Sequence, residues 1–151
     1  MSTPRPTAQL LTAVGALAIG ASAFFNWFDD LDATEFATRW LFWDDARTTT
    51  DEFSSMAVPL LAAGLIALVG AIIGSRLLGG LGLLVGLATG VTWAVRQADV
   101  DSGFGVTDIQ LGAWIALGGL VALILGVGGL RRRAEEERAM RGITPGPTPT
   151  A

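Results

Sequence analysis

The chain has 151 residues, of which 51% are hydrophobic and 16% are charged, and its formal net charge is −4 at pH 7. It contains no Cys, His, Lys or Tyr, which excludes disulfides, thiolate and imidazole metal sites, Schiff-base chemistry and the lysine of a phosphate-binding loop. Because only carboxylates and guanidiniums remain to carry chemistry, we expect no enzymatic activity, no cofactor and no metal. The apolar residues form blocks long enough to cross a lipid bilayer, so the composition predicts a small membrane protein.

The first of these blocks covers residues 8–28, after a polar tail at residues 1–7. About 21 residues at 1.5 Å each extend roughly 30 Å as an α-helix, which is one hydrocarbon thickness. We therefore predict a disordered tail and then a first transmembrane helix. An alternative stays open, because the small residues around Ala23 fit a signal-peptidase site, and residues 1–23 would then be a cleaved signal peptide.

The loop after this block begins with acidic residues and carries an aromatic pattern. Asp32 and Glu35 have the spacing of a capping box, which predicts a helix at 33–43. Three rings share one face of that helix, at i, i+4 and i+7: Phe36, Trp40 and Trp43. We expect the helix to lie flat at the outer membrane interface with its rings towards the lipid, or to close the mouth of the helix bundle.

A second apolar block of about 40 residues would be roughly 60 Å long as one helix, so it must fold back. Its single charge, Arg76, lies near the middle. Small residues that permit a turn surround this charge: Gly74, Ser75, Gly79 and Gly80. We predict two transmembrane helices, at 56–74 and 77–95, joined as a tight hairpin.

Pro59 lies early in the second predicted span, and its effect depends on where that helix begins. If Ser54 or Ser55 is the N-cap, Pro59 falls about one turn inside, where its missing N–H costs little. If Thr49 and Glu52 instead form a capping box, Pro59 is interior and kinks the helix. The sequence leaves both interpretations open.

The fourth apolar block covers 109–130. Three arginines follow it directly: Arg131, Arg132 and Arg133. Opposite charges four residues apart then favour a helical extension at 131–142, and the Pro-rich residues 143–151 are predicted to be disordered. The predicted fold class is all-α: one integral membrane four-helix bundle over 8–130, with a short interfacial helix in its first outer loop.

The charges are distributed unequally between the two ends of the predicted spans. Seven of the ten arginines lie at one end, and we expect four of them to anchor the bundle at lipid headgroups: Arg76, Arg131, Arg132 and Arg133. Eleven of the fourteen acidic residues lie at the other end, in the loops at about 29–55 and 96–108. Since arginines accumulate on the cytoplasmic side, we predict a multi-pass plasma-membrane protein with both termini in the cytoplasm. The tail has no extended basic face, so we expect no nucleic-acid binding.

Glycine recurs at helical spacing within the predicted spans. Small residues let helix backbones approach closely in lipid, where van der Waals contact drives association. The candidate packing positions are Gly70, Gly74, Gly82, Gly86, Gly90, Gly118, Ala122 and Gly126. We interpret them as internal contacts of one bundle; the other interpretation is a homo-oligomer or a groove for another subunit.

All twelve aromatic residues fall towards the predicted outer end, although aromatic belts usually occupy both interfaces. We expect six of them to contact the interface or a protein partner: Trp27, Phe36, Trp40, Trp43, Trp93 and Trp114. In the second outer loop, Asp99 and Asp101 have calcium-loop spacing, but the later ligands of such a loop are missing. We expect Asp108 to cap the fourth helix and Arg96 to pair with an acidic residue nearby.

Three features resemble a known group of proteins: the sequence Asn26-Trp27-Phe28 at the end of the first span, the short arginine hairpin, and the string LGAWIALGGLVALILGVGGLRRR. They look like the uncharacterised four-span membrane proteins of actinobacteria, of which the tryptophan-operon-associated membrane family is one example. The resemblance implies a plasma-membrane protein and carries over no functional residue.

The predicted spans contain no ionisable side chain, whereas ion pathways and proton-coupled transporters normally place one at membrane depth. We therefore expect a non-catalytic accessory or assembly subunit that docks to a partner membrane complex. The alternative is an oligomeric pore or a holin-like protein.

Overall fold

A computed structural model of the chain describes residues 5–42, 48–49, 52–100 and 105–142, and beyond residue 129 it describes the backbone alone. Trp43, the Pro-rich tail and the side chains of Arg131, Arg132 and Arg133 therefore lie outside what is described. The regular elements within the described residues are α1 (Arg5–Ser22), β1 (Asn26–Phe28), β2 (Leu31–Asp32), α2 (Ala57–Ile73), α3 (Arg76–Val100) and α4 (Leu111–Gly142). Short 3-10 turns lie at Thr38–Leu41, Glu52–Ser54 and Val106–Asp108.

The predicted all-α class is confirmed, with four helices in the described part of the chain. The first helix differs from its predicted bounds of 8–28, since it begins at Arg5 and ends at Ser22. The predicted disordered tail is therefore wrong for residues 5–7. α3 continues to Val100, past the predicted end at residue 95. The last helix continues without a break from Leu111 to Gly142, so the extension predicted at 131–142 is helical.

The helices are antiparallel neighbours in an up-down-up-down bundle. α1 packs between α2 and α4, and α2 also packs against α3, whereas α3 and α4 meet over a smaller area. The turn between α2 and α3 lies at the same end as the start of α1, since a Cβ on Gly74 would be 3.2 Å from the side-chain nitrogen of Gln9. We call this the hairpin end, and the opposite end, which residues 23–42 and 52–56 cover, the capped end.

The interior of the bundle consists mainly of small side chains, and the outward faces carry large apolar ones. Buried positions include Ala16, Ala63 and Ala67. Large aliphatic side chains point outwards on every helix, for example Leu10, Leu65, Leu84 and Leu125 at 59–66% exposure. This arrangement is the reverse of a water-soluble bundle and matches helices packed by close backbone approach.

Two helices are long and apolar enough to cross a membrane by length and composition, over Arg76–Asp99 and Leu111–Gly129. Only 28% of each of these windows is buried inside the bundle, whereas the core helix of a water-soluble domain is mostly buried. α1 and α2 are shorter apolar helices, of 18 and 17 residues.

The turn between α2 and α3 is set by Gly74, which has φ of 71°. The N–H of Gly74 donates to the carbonyl of Ala71, and the N–H of Ser75 donates to the carbonyl of Gly70 at 2.8 Å. These are the two hydrogen bonds of a Schellman motif, whose left-handed residue is usually glycine. Gly79 and Gly80 do not form a second turn; they lie in the first turns of α3.

The helix predicted at 33–43 does not form. The segment contains turns, an isolated bridge between Phe36 and Thr48, and a 3-10 turn at Thr38–Leu41. The reason lies in its carbonyl groups: those of Ala33 and Phe36 accept hydrogen bonds from the N–H groups of Ala57 and Met56, at 2.9 and 2.8 Å. In an α-helix the same carbonyls would accept from residues four positions later.

The capping-box residues nevertheless make the local hydrogen bonds expected of them. The Asp32 side chain accepts from the Thr34 N–H at 2.7 Å, and the Glu35 side chain accepts from the Asp32 N–H at 3.2 Å. They organise a tight turn after the β-hairpin, in which Asn26 pairs with Asp32. The sequence patterns did not predict this hairpin.

The same hydrogen bonds, between the segment around Phe36 and the start of α2, determine where Pro59 lies within α2. Met56 is the N-cap of α2, so Pro59 is the third helical residue. Its missing N–H falls within the first turn, where N–H groups have no partner in their own helix. The interpretation that Pro59 costs little is therefore correct, although the cap is neither Ser54 nor Ser55.

Asp108 does not cap the fourth helix as predicted. Its carboxylate accepts a hydrogen bond from the Gly105 N–H within a 3-10 turn, and α4 begins at Leu111.

Candidate functional site

Four aromatic rings from three separate segments form one cluster at the capped end, which we call the aromatic cap: Trp27, Phe36, Trp40 and Trp93. Trp93 is the central ring, since Trp27 contacts it edge-on with a centroid distance of 5.1 Å and Phe36 does so at 6.5 Å. Phe36 also packs against Trp40 at 5.9 Å. All four side chains are at most 3% exposed, so the cap closes this end of the bundle with a packed apolar cluster.

Polar atoms around the cap connect its rings to the helices. The indole N–H of Trp27 donates to the carbonyl of Ser22 at 2.8 Å, which ties β1 to the end of α1. Arg96 of α3 donates from Nε to the carbonyl of Trp40 at 2.9 Å, and its guanidinium lies 5.6 Å from the centre of the Trp40 ring. Arg96 also approaches Asp99 at 4.0 Å, a carboxylate that is 76% exposed.

The prediction that these rings contact the interface or a partner is wrong for Trp27, Phe36, Trp40 and Trp93, whereas the alternative that the first-loop segment closes the mouth of the bundle agrees with their burial. They are core residues, because the segment around Phe36 folds over the bundle instead of lying on its surface as a helix. Among the predicted contact residues that the structure describes, Trp114 alone is exposed, at 46%. Its indole N–H donates to the carbonyl of Ile109 at 3.2 Å.

Glycine sites predicted for helix packing separate into two groups. At Gly70 and Gly82, a Cβ would lie 2.5 Å from the Gly79 nitrogen and 2.6 Å from the Ala63 oxygen, so both belong to the α2–α3 contact. A Cβ on Gly126 would meet Thr12 of α1. Gly86 lies more loosely between helices, with Leu120 3.3 Å from such a Cβ. Side chains larger than hydrogen at Gly70, Gly82 or Gly126 would force these helices apart.

The predicted internal packing role is wrong for Gly90 and Gly118, since no atom of the described bundle lies within 4 Å of a Cβ placed there. Ala122 is half-buried, while the neighbouring Leu123 is fully buried. The reason is the spacing of the buried residues along α4. They are alternately four and three positions apart, at 112, 116, 119, 123 and 126. A row spaced strictly by four drifts away from the contact face of a helix with 3.6 residues per turn.

Sequence reasoning missed four closely packed glycines: Gly15, Gly64, Gly112 and Gly119. A Cβ on Gly15 would lie 2.6 Å from the carbonyl oxygen of Gly119, and one on Gly64 would lie 2.8 Å from that of Ala16. The alternating four-three spacing of small residues along α1 and α4 is a signal that could have identified the contact.

A groove opens between α3 and α4 at the capped end. The two helices contact each other near the hairpin end, where a Cβ on Gly79 would be 3.0 Å from Val127, and at mid-height near Gly86 and Leu120. Beyond this point they diverge, and an apolar cavity of about 270 Å³ lies between them. Its lining residues are Trp27, Leu87, Gly90, Val91, Trp93, Ala94, Ile109, Ala113, Trp114, Ala116, Leu117 and Leu120. We call this the α3–α4 groove.

The open end of the α3–α4 groove is bordered by carboxylates. Asp108 directly precedes the lining residue Ile109, and Asp30 accepts a hydrogen bond from the Gln110 side chain at 3.2 Å. Both carboxylates are exposed. The groove therefore combines an apolar interior with a negatively charged margin, an arrangement that suits an apolar ligand and disfavours an anionic one.

Within the described residues, no group of three or more carboxylates, Cys or His is placed to hold a metal ion. Comparisons of the chain with protein-family models, curated proteins and solved structures found no match.

Proposed function

We propose that the chain is a non-catalytic integral membrane protein with four spans, and that it serves as an accessory or assembly subunit of a partner membrane complex. The observation that carries the proposal is the outward face of the bundle. Large apolar side chains are exposed along all four helices, whereas water-soluble monomers rarely expose contiguous apolar patches above about 300–600 Å². A bilayer would cover this surface.

The lengths of the helices are compatible with this proposal. The two longer helices have apolar windows of 24 and 19 residues. α1 and α2, with 18 and 17 residues, correspond to roughly 26 Å, which lies at the short end of the range for membrane spans. We place the hairpin end, with the Arg131 to Arg133 cluster and both termini, in the cytoplasm of a plasma-membrane protein, because arginines accumulate on that side.

The docking face that we propose is the outward side of α4. Gly118 is exposed with open space around it, and Ala122 follows one turn later. A partner's transmembrane helix can approach closely at such small residues. The aromatic cap is not proposed as a docking face, because its rings are buried in the chain itself.

Pull-down from native membranes tests the accessory role. The wild-type protein, solubilised in mild detergent, should retain a membrane-protein partner that Gly118→Leu loses, since a leucine there blocks close helix approach. Gly20→Leu is the matched control, because Gly20 also has open space around it but lies on α1. Recovery of the wild type as a lone monomer would contradict this function. Equal recovery of a partner with both variants would contradict the α4 docking face.

The pore alternative is distinguished by membrane potential. Within the described bundle, close contacts at Gly15, Gly64 and Gly82 fill the spaces between the helices, so a pore would require several copies. Depolarisation of cells that overexpress the protein would favour the pore over the accessory role.

A further inference from the structure

We propose that the α3–α4 groove binds one acyl chain of a membrane phospholipid whose headgroup carries an ammonium group, as in phosphatidylethanolamine. The proposal rests on the membrane insertion of the bundle proposed above and is independent of any partner on α4. Three observations support it: the length of the groove, its volume and the charge at its margin.

The length of the groove matches one leaflet. Its α4 wall extends from Ile109 to Leu120, which is about 17 Å at 1.5 Å per residue. The hydrocarbon core of a bilayer is about 30 Å thick, so each leaflet contributes about half of that. Towards the hairpin end, the contact between Gly86 and Leu120 closes the groove. A chain that enters from the leaflet at the capped end therefore reaches the bottom of the groove at the bilayer midplane.

The groove is too small to enclose a helix of its own length. An α-helix about 10 Å across and 17 Å long occupies about 1,300 Å³, several times the cavity volume of about 270 Å³. A partner's transmembrane helix would also need to continue across the midplane, where α3 and α4 are in contact. A single flexible hydrocarbon chain meets neither obstacle, and its methylenes gain contacts with indole and aliphatic surfaces that an empty groove would forfeit.

The charge at the margin selects the headgroup. Asp30 and Asp108 lie beside the open end, next to Gln110 and Ile109. The nearby cation, Arg96, has its guanidinium over the Trp40 ring. A headgroup of net negative charge would be repelled by the two carboxylates, whereas an ammonium group would be attracted to them.

Fluorescence quenching with brominated lipid tests the proposal, since three of the five tryptophans line the groove: Trp27, Trp93 and Trp114. Purified full-length protein in maltoside micelles is titrated with phosphatidylethanolamine that carries bromine on its acyl chains. The wild type should show saturable quenching at low lipid mole fraction. Brominated phosphatidylglycerol, which is anionic, should bind more weakly, and high salt should reduce the difference.

Filling part of the groove should weaken lipid binding. Gly90→Leu places a side chain into open space in the groove and should weaken binding about ten-fold, because displacing about two methylenes of the lipid accounts for that change. Gly118→Leu is the matched control, since Gly118 also has open space but does not line the groove. If Gly90→Leu loses helicity or solubility, Ala113→Leu, another lining residue, replaces it.

Each outcome decides the proposal. Equal saturable quenching of wild type and both groove variants would show that bulk lipid, and not the groove, causes the signal. Equal affinity for both headgroups would overturn the ammonium selectivity. If the protein does not insert in membranes, alkaline extraction releases it, and that result rejects the proposed function itself. Loss of the partner with Gly118→Leu while lipid binding persists would show that the two sites are separate.

Discussion

Arg96 illustrates how one charged side chain joins the cap to the bundle. It is 25% exposed at the side chain and uses its planar guanidinium in two ways, as a donor to the Trp40 carbonyl and as a cation over the Trp40 ring. The ion pair with Asp99, at 4.0 Å and to a largely exposed carboxylate, contributes little by comparison. The stabilising contacts of Arg96 are therefore those with Trp40.

Replacing Arg96 tests this order of importance. We expect Arg96→Gln to lower the free energy of unfolding by about 1–2 kcal/mol, because both the charge-assisted hydrogen bond and the cation–π contact are lost. Asp99→Asn is the control and should change it by less than about 0.5 kcal/mol. Thermal unfolding in detergent, followed by near-UV circular dichroism of the buried tryptophans, measures both. A larger effect of the Asp99 variant would reverse the assignment.

At the scale of single residues, the sequence identified Arg96 as a residue that pairs with an acidic side chain but not as a partner of Trp40. The two residues are 56 positions apart. Pairing with Asp99 follows from helical spacing, whereas contact with Trp40 depends on how the segment after α1 folds back. The burial of Trp27 and Phe36 has the same origin.

At the scale of elements, α1 and α4 form the most extensive helix–helix contact of the bundle. Gly15 and Gly119 face each other, and the buried positions of both helices alternate in steps of four and three. Such a repeat keeps one face towards the partner helix over several turns. α1 packs on both α2 and α4, so the proposed four-span bundle requires that α1 is retained in the mature protein. The alternative, in which residues 1–23 are a cleaved signal peptide, would remove this helix.

Gly15→Ala tests the α1–α4 contact. A Cβ there would lie 2.6 Å from the Gly119 oxygen and 2.8 Å from the Leu123 nitrogen, both backbone atoms, so the helices must separate. We expect a loss of roughly 1–3 kcal/mol of stability. Gly20→Ala in the same helix has open space around it and should be neutral or stabilising by up to about 1 kcal/mol, because alanine favours the helix. Equal unfolding temperatures of the two variants would contradict the tight contact.

At the scale of the whole molecule, the two ends of the bundle differ in construction. Within the described residues, the hairpin end consists of one tight turn and helix termini, while residues 23–42 and 52–56 cover the other end around a packed aromatic cluster. The proposed orientation places the capped end outside the cell. The α3–α4 groove opens at that end, so its lipid would come from the outer leaflet.

Single cysteines test the orientation, since the natural chain has none to interfere. We expect an impermeant maleimide to label Thr48→Cys and Thr107→Cys in intact cells, because both positions are exposed at the capped end. Met140→Cys should be labelled after lysis only. The wild type, which has no thiol, gives the background. The opposite pattern would mean that the arginine-rich end faces outwards.

Patterns within short stretches of the sequence predict the number of long helices, the turn at Gly74 and the continuation of the last helix past Arg133. These features depend on block length, glycine and local charge spacing, which act between residues close in the chain. The four-three spacing along α4 also distinguishes Gly119, which faces α1, from Gly118. The burial of the cap rings is visible only in the tertiary structure, because it depends on hydrogen bonds and contacts between distant segments, such as that of Phe36 with Met56, and no local pattern specifies these.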